Sequence, residues 1–224
     1  MAKGDIRVGS MTLGMVSTNC YFLYREDGRK HTKGEDFDEP TPVIFIDPAD
    51  RGSFIYDALT ARGFSIDKIL LTHGHFDHIG GADELRKLSG ARIYAYEKEK
   101  EVCENADNNL SIDYGRGYTV VPDEYLQDLD IIEGAGLKCQ LIATPGHTVG
   151  GCCYYFEEGD ILVCGDTLFL ESVGRTDFPT SSMSTLVRSI NERLMVLPDD
   201  TICYPGHGDA TTIGHERQYN PFIG

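Results

Sequence analysis

An α/β fold is what this sequence predicts, and three observations predict it. Apolar, β-prone runs alternate with helical stretches, four of those runs end in His or Asp beside Gly or Pro, and no linker-like break divides the 224 residues. A chain of this length with 41% hydrophobic residues builds a large core, so one domain spanning 1–224 is expected.

The elements follow in order. Strands are expected near Met11–Tyr24, Val43–Ile46 and Lys68–Leu71, with helices near Arg51–Arg62 and His78–Leu88. The second helix is well marked, because Asp83 and Glu84 occupy its first turn, Arg86 and Lys87 its last, and Gly90 follows, so both ends complement the macrodipole. Leu137–Ala143, Gly151–Phe156, Ile161–Cys164 and Thr201–Tyr204 read as further strands. Ser182 to Leu197 is the clearest later helix, with Leu186, Val187, Ile190, Leu194 and Leu197 on one face and Pro198 ending it. That apolar face is core. Arg25 to Pro42 is charged and contains Gly, the composition of a long hairpin loop or surface excursion.

Charge and composition exclude several partners. A net charge of −16 argues against nucleic acid, since phosphate binding needs clustered Lys and Arg. The sequence has no basic segment followed by an apolar run and cleavage site, and no 18-residue apolar stretch, so neither export nor membrane spanning is expected. Of seven cysteines, Cys20, Cys139, Cys152, Cys153, Cys164 and Cys203 lie in apolar runs. Buried, reduced thiols in a cytoplasmic protein fit that pattern, and a redox or metal role for adjacent Cys152 and Cys153 is the alternative.

The chemistry concentrates in Thr72-His73-Gly74-His75-Phe76-Asp77-His78, which follows Ile69-Leu70-Leu71. Alternate residues of an extended segment point the same way, so His73 and His75 can grip one ion. Asp77 and His78 lie where the chain turns into a helix and face a second position, as two-metal hydrolytic sites require at about 3.5–4 Å. Nothing in core packing needs four such groups side by side. Three further strand ends supply donors: His147 in Thr144-Pro145-Gly146-His147-Thr148, Asp166 in Cys164-Gly165-Asp166-Thr167, and His207 in Tyr204-Pro205-Gly206-His207-Gly208. Taken singly these read as turn or surface residues; together with the first run they read as ligands. His31 and His215 lack such a context and are assigned surface or hydrogen-bonding roles.

The order HxHxDH, then His, Asp and His in Pro-Gly-His and Gly-Asp-Thr settings, resembles the metallo-β-lactamase superfamily over nearly the whole chain. The segment Ser172-Val173-Gly174-Arg175-Thr176-Asp177-Phe178-Pro179 and the ending with Thr211-Thr212-Ile213-Gly214 and Asn220-Pro221-Phe222 resemble short bacterial hydroxyacylglutathione hydrolases, or glyoxalase II-like proteins. The resemblance implies a four-layer αβ/βα sandwich. It also implies one ion on His73, His75 and His147, a second on Asp77, His78 and His207, and Asp166 bridging, with Asp77 and Asp166 as the catalytic carboxylates. Zinc suits these donors, and iron and manganese accept them too. The implied reaction is hydrolysis of a glutathione thioester such as S-D-lactoylglutathione by a metal-bound hydroxide. Arg175, nine positions after Asp166, matches the family's basic glutathione-contacting position, although a surface arginine is the alternative. Longer glyoxalase II enzymes carry a C-terminal helical domain, whereas only 17 residues (224 − 207) follow His207 here. Two other readings stand beside this one. Persulfide dioxygenases share the ligand order and would use one iron on His73, His147 and Asp166, and a metal-binding regulatory protein would keep the site without turnover.

Overall fold

The computed structural model describes residues 5–34 and 39–224. The first half runs β1 (Ile6–Leu13), β2 (Thr18–Arg25), β3 (Thr41–Ile46), α1 (Gly52–Thr60), β4 (Phe64–Leu70), α2 (Phe76–Ile79), α3 (Ala82–Ser89), β5 (Arg92–Tyr96), α4 (Lys100–Cys103) and β6 (Glu124–Leu126). The second runs β7 (Ile131–Gly134), β8 (Leu137–Ala143), β9 (Cys152–Phe156), β10 (Ile161–Gly165), β11 (Leu168–Phe169), β12 (Ser172–Val173), α5 (Met183–Ser189), β13 (Ile202–Pro205), β14 (Thr211–Thr212) and α6 (Ile213–Tyr219).

Two six-stranded sheets result, ordered β1-β2-β3-β4-β5-β6 and β14-β13-β10-β9-β8-β7. Side-chain alternation shows how they stack. On β3, Val43 and Phe45 pack with Ile55, Leu59 and Leu85 of the helices α1 and α3, whereas Ile44 and Ile46 face the other sheet. On β10, Ile161 and Val163 face that inter-sheet core, whereas Leu162 and Cys164 pack with Leu186, Ile190 and Leu194. Three apolar cores therefore separate four layers, helix–sheet–sheet–helix, which is the expected αβ/βα sandwich. Tyr154 and Phe156 are fully buried between the sheets; burying an aromatic ring of this kind contributes roughly 1.5–3 kcal/mol.

Several expected elements are corrected. The single strand expected near Met11–Tyr24 is a hairpin, turned at residues 14–17 with Gly14 and Ser17 at positive φ. Met15 and Val16 at its tip continue the apolar pattern and hide the turn, yet both are exposed. The helix expected at His78–Leu88 is split into α2 and α3, because the Gly81 N–H donates to the Pro48 carbonyl at 2.7 Å instead of continuing the helix. The helix expected from Ser182 to Leu197 starts as read, with the Ser182 hydroxyl capping Thr185, but its second half is a π-helical turn over Ile190–Leu194. Strand β5 and helix α6 were not among the expected elements.

Within the loop from Arg25 to Pro42, residues 35–38 lie outside the described residues, as do residues 1–4 at the N-terminus. In the described part His31 stacks on Phe64 with ring centres 4.1 Å apart. All seven cysteines are free and buried. Cys152 and Cys153 face opposite cores across β9, and burial raises both thiols above their ordinary range, Cys153 to about 11. No helix of the described residues is long and apolar enough to cross a membrane.

Candidate metal centre

Strand direction gathers the candidate ligands. Strands β8, β10 and β13 run parallel to one another in the second sheet, and β3, β4 and β5 do so in the first. Their C-terminal ends therefore meet at one edge of the sandwich, where connecting loops display side chains on a rigid support. His73 and His75 leave β4, Asp77 and His78 lie on α2, His147 follows β8, Asp166 follows β10 and His207 follows β13. All seven come together.

They form two groups that share a neighbour. Ligand atoms of His73, His75 and His147 lie within 4.8 Å of one another, as do those of Asp77, His78 and His207. Asp166 stands between, with Oδ1 3.5 Å from His78 Nε2 and Oδ2 3.5 Å from His147 Nε2 and 3.6 Å from His207 Nε2. Glycine is required at the base of this cluster. A Cβ on Gly206 would stand 2.2 Å from Asp166 Oδ1 and 2.7 Å from the His78 ring.

The far side of three of the rings, His73, His78 and His147, is held by the protein, which fixes the tautomer. His78 Nδ1 donates to Asp47 Oδ2 at 2.9 Å. Asp47 also accepts from the Thr72 N–H at 2.7 Å and the Thr72 hydroxyl at 2.6 Å. With its own hydrogen so used, Thr72 Oγ1 accepts from His73 Nδ1 at 3.1 Å. His147 Nδ1 donates to the Arg175 carbonyl at 2.7 Å, and the Thr18 hydroxyl donates to Asp77 Oδ2 at 2.7 Å. These bonds leave Nε2 of His73, His78 and His147 directed inward.

The inner atoms ask for a cation. His73 Nε2, His78 Nε2 and Asp166 Oδ1 are buried without a hydrogen-bond partner, and each such group costs about 1–3 kcal/mol if left so. His75 Nδ1 and His147 Nε2 approach to 2.9 Å, two ring nitrogens turned to one point. Asp47, Asp77 and Asp166 bring three carboxylates into the same space. Imidazole and carboxylate donors without thiolates suit zinc, iron or manganese.

Burial and charge act on the rings in opposite senses. Burial, reinforced by neighbouring imidazoles, holds His73 well below the ordinary histidine range and brings His75 to about 3. Burial would lower His78 as well, but Asp77, Asp166 and Asp47 outweigh it and hold that ring well above the usual range. His207 is raised in the same way by its 3.2 Å contact with Asp77.

The clusters form the floor of a cleft of about 180 Å³. Val16, Phe76, Leu110, Tyr114, Phe169 and Phe178 supply apolar wall, and Tyr114 stacks on Phe76 at 4.1 Å. Arg175 also lines the cleft, its guanidinium 4.4 Å above the Phe178 ring and paired with Asp177 at 2.7 Å. His31 and His215 lie away from the clusters, on Phe64 and Glu171 respectively. Sequence reasoning missed Asp47, Thr18 and Thr72 as supporting groups. Asp47 directly follows the apolar run Val43–Ile46, the same strand-end signal that marked Asp166.

A two-sheet sandwich with His/Asp clusters at one edge defines a metallo-hydrolase-type protein with room for two ions. The metallo-beta-lactamase superfamily model matches residues 37–207, and the chain belongs to that superfamily. It is similar to the hydroxyacylglutathione hydrolase GloC of Haemophilus influenzae, 33% identical over 84% of this chain and 90% of that one. Among solved structures it resembles the BLEG-1 B3 metallo-beta-lactamase, with TM-score 0.87 and 32% identity over 97% of this chain and 99% of that one. It also resembles TTHA1623 in a di-iron-bound form, with TM-score 0.81 and 31% identity over 96% of this chain and 100% of that one.

Proposed function

We propose that this protein is a metal-dependent thioester hydrolase, acting on hydroxyacylglutathione of the S-D-lactoylglutathione type to release the hydroxy acid and glutathione. The observation that carries the reading is the pair of inward-facing clusters with Asp166 between them, at the floor of a cleft with apolar walls. Its similarity to GloC supports the substrate.

In this reading His73, His75 and His147 would hold one ion and Asp77, His78 and His207 the other, with Asp166 within reach of both groups. Zinc is the proposed metal. Iron and manganese accept the same donors, and one similar structure holds two irons. Bound divalent ions supply Lewis acidity for the acyl oxygen and acidify a water from pKa 15.7 toward ~7.

The protein's own groups then bind and orient. Asp47, Thr72 and the Arg175 carbonyl keep the His78, His73 and His147 rings in the tautomer that presents Nε2 inward. The apolar walls take the acyl arm and keep bulk water from the carbonyl. Arg175 offers a cation at the mouth, where a substrate carboxylate would exchange with Asp177. Water gives up a proton to solvent as its oxygen bonds to the acyl carbon, the carbon–sulfur bond breaks, and glutathione leaves as a thiolate without a strong general acid while the new carboxylic acid releases the second proton.

The test is steady-state loss of S-D-lactoylglutathione absorbance with zinc-loaded protein and a chelated control. Chelator-sensitive turnover above about 10⁴ M⁻¹s⁻¹ is expected. A chromogenic β-lactam is the comparison substrate, prompted by the BLEG-1 likeness. Turnover of the β-lactam and not the thioester would overturn the reading, as would oxygen uptake with glutathione persulfide.

A further inference from the structure

We propose that Glu99 is a positioning residue for the three-histidine cluster, tying together the two loops that carry it. Glu99 lies between β5 and α4 in Glu97-Lys98-Glu99-Lys100-Glu101, where each of the other four side chains is exposed and Glu99 is 1% exposed. Its Oε1 accepts from the Gly74 N–H at 2.8 Å, and its Oε2 accepts from the Thr148 hydroxyl at 2.9 Å. Gly74 sits between His73 and His75, and Thr148 follows His147.

One carboxylate therefore spans both loops of the cluster, although 72 residues separate His75 from His147. The packing leaves no slack behind it. A Cβ on Gly150 would stand 2.2 Å from the Glu99 nitrogen, and one on Gly74 would stand 2.7 Å from the Cys103 nitrogen. Both partners donate, so a group with two accepting oxygens satisfies them and an amide satisfies one. Burying a carboxylate is costly without compensation. Burial raises Glu99 to about 7, against the pull of the Gly74 and Thr148 donors. What that burial secures is the spacing of His73 and His75 relative to His147. In the Asp77, His78 and His207 group the contacts behind the ligands come instead from Asp47 on His78 and Thr18 on Asp77.

The inference rests on the three-histidine metal position, and the test separates the two ideas by reading metal affinity instead of turnover. Zn²⁺ affinity is measured by competition with a chromophoric chelator in wild type, Glu99→Gln, Thr148→Val and Thr148→Ser, with His147→Ala identifying the binding step that belongs to this position. Glu99→Gln and Thr148→Val are expected to weaken that step about 10–100-fold, the usual effect of removing a group behind a ligand, and to leave the other step within about twofold. Thr148→Ser, which keeps the hydroxyl, should restore wild-type affinity. Equal weakening of both steps, no weakening of either, or loss in Thr148→Ser matching Thr148→Val would overturn the role of Glu99. Should Glu99→Gln fail to fold, the two Thr148 variants decide. A wild-type protein that binds no Zn²⁺ would overturn the metal centre itself.

Discussion

The two histidine clusters share a residue type and differ in what stands behind and beside it. His73 and His147 lean on a hydroxyl and a backbone carbonyl, and burial, with neighbouring imidazoles, holds both rings below the ordinary histidine range. His78 leans on Asp47 and faces Asp77 and Asp166, and carboxylates hold its proton on. Burial lowers the rings on both sides, and the difference teaches that the facing charges decide whether it prevails: it does among the imidazoles around His73, and Asp77, Asp166 and Asp47 outweigh it at His78. One cluster offers lone pairs, and the other offers negative charge.

The sharpest way to break this comparison is to remove one ring from each side. His75→Ala and His207→Ala should each cut zinc stoichiometry from two to one, measured by metal analysis. His75→Ala should also abolish hydrolysis, a larger loss than the ~10–100-fold expected for a supporting group. Wild-type turnover in that variant would sink the site. Asp47→Asn comes next. It takes the negative charge from behind His78 directly and from behind His73 only through Thr72, so Zn²⁺ affinity should fall about 10–100-fold at the Asp77 cluster and by less at the three-histidine cluster. A loss confined to the three-histidine cluster would contradict the assignment.

Glu99 sharpens the contrast through pH. Its carboxyl is raised from 4.5 to about 7, so between those values the folded protein holds a proton that the unfolded chain has released. Unfolding free energy should therefore fall as pH rises from about 4.5 to 7 and level off above, and Glu99→Gln should flatten that slope in denaturant titrations. A slope unchanged in Glu99→Gln would show that another group titrates there. The smallest effect is expected at Arg175, whose side chain is 67% exposed. An exposed ion pair is worth roughly 0–1 kcal/mol, so Arg175→Ala should raise KM by about fivefold at most with kcat unchanged.

The clusters were legible because imidazoles are scarce and stand together: five of the seven histidines fall in the set. Their supports were not. Asp47 is one of many acids in a chain of net charge −16, and only its place after Val43–Ile46 marked it. Glu99 carried no signal at all, since a Glu/Lys run reads as a solvated face and only tertiary packing turns one of its members inward. The strands with plain apolar runs, β3, β8, β9, β10 and β13, were readable to within a residue or two. The β1–β2 turn was hidden by apolar Met15 and Val16, both exposed, of which Val16 lines the cleft. The break between α2 and α3 depended on a hydrogen bond to Pro48, more than thirty residues upstream in sequence and therefore invisible to local pattern.

The chain builds one sheet from residues 6–126 and the other from residues 131–212, and neither the His73, His75 and His147 cluster nor the Asp77, His78 and His207 cluster is complete within one half. Each cluster takes two side chains from the first half and one from the second, while Asp166 comes from the second. An ion held there acts as a clasp across the seam between halves. By mass action, metal at a thousand times its dissociation constant adds about 4.1 kcal/mol to the folded state. On the proposed function, scarcity of metal would then loosen the join between the two sheets as well as silence the site, so one ion would govern both persistence and activity.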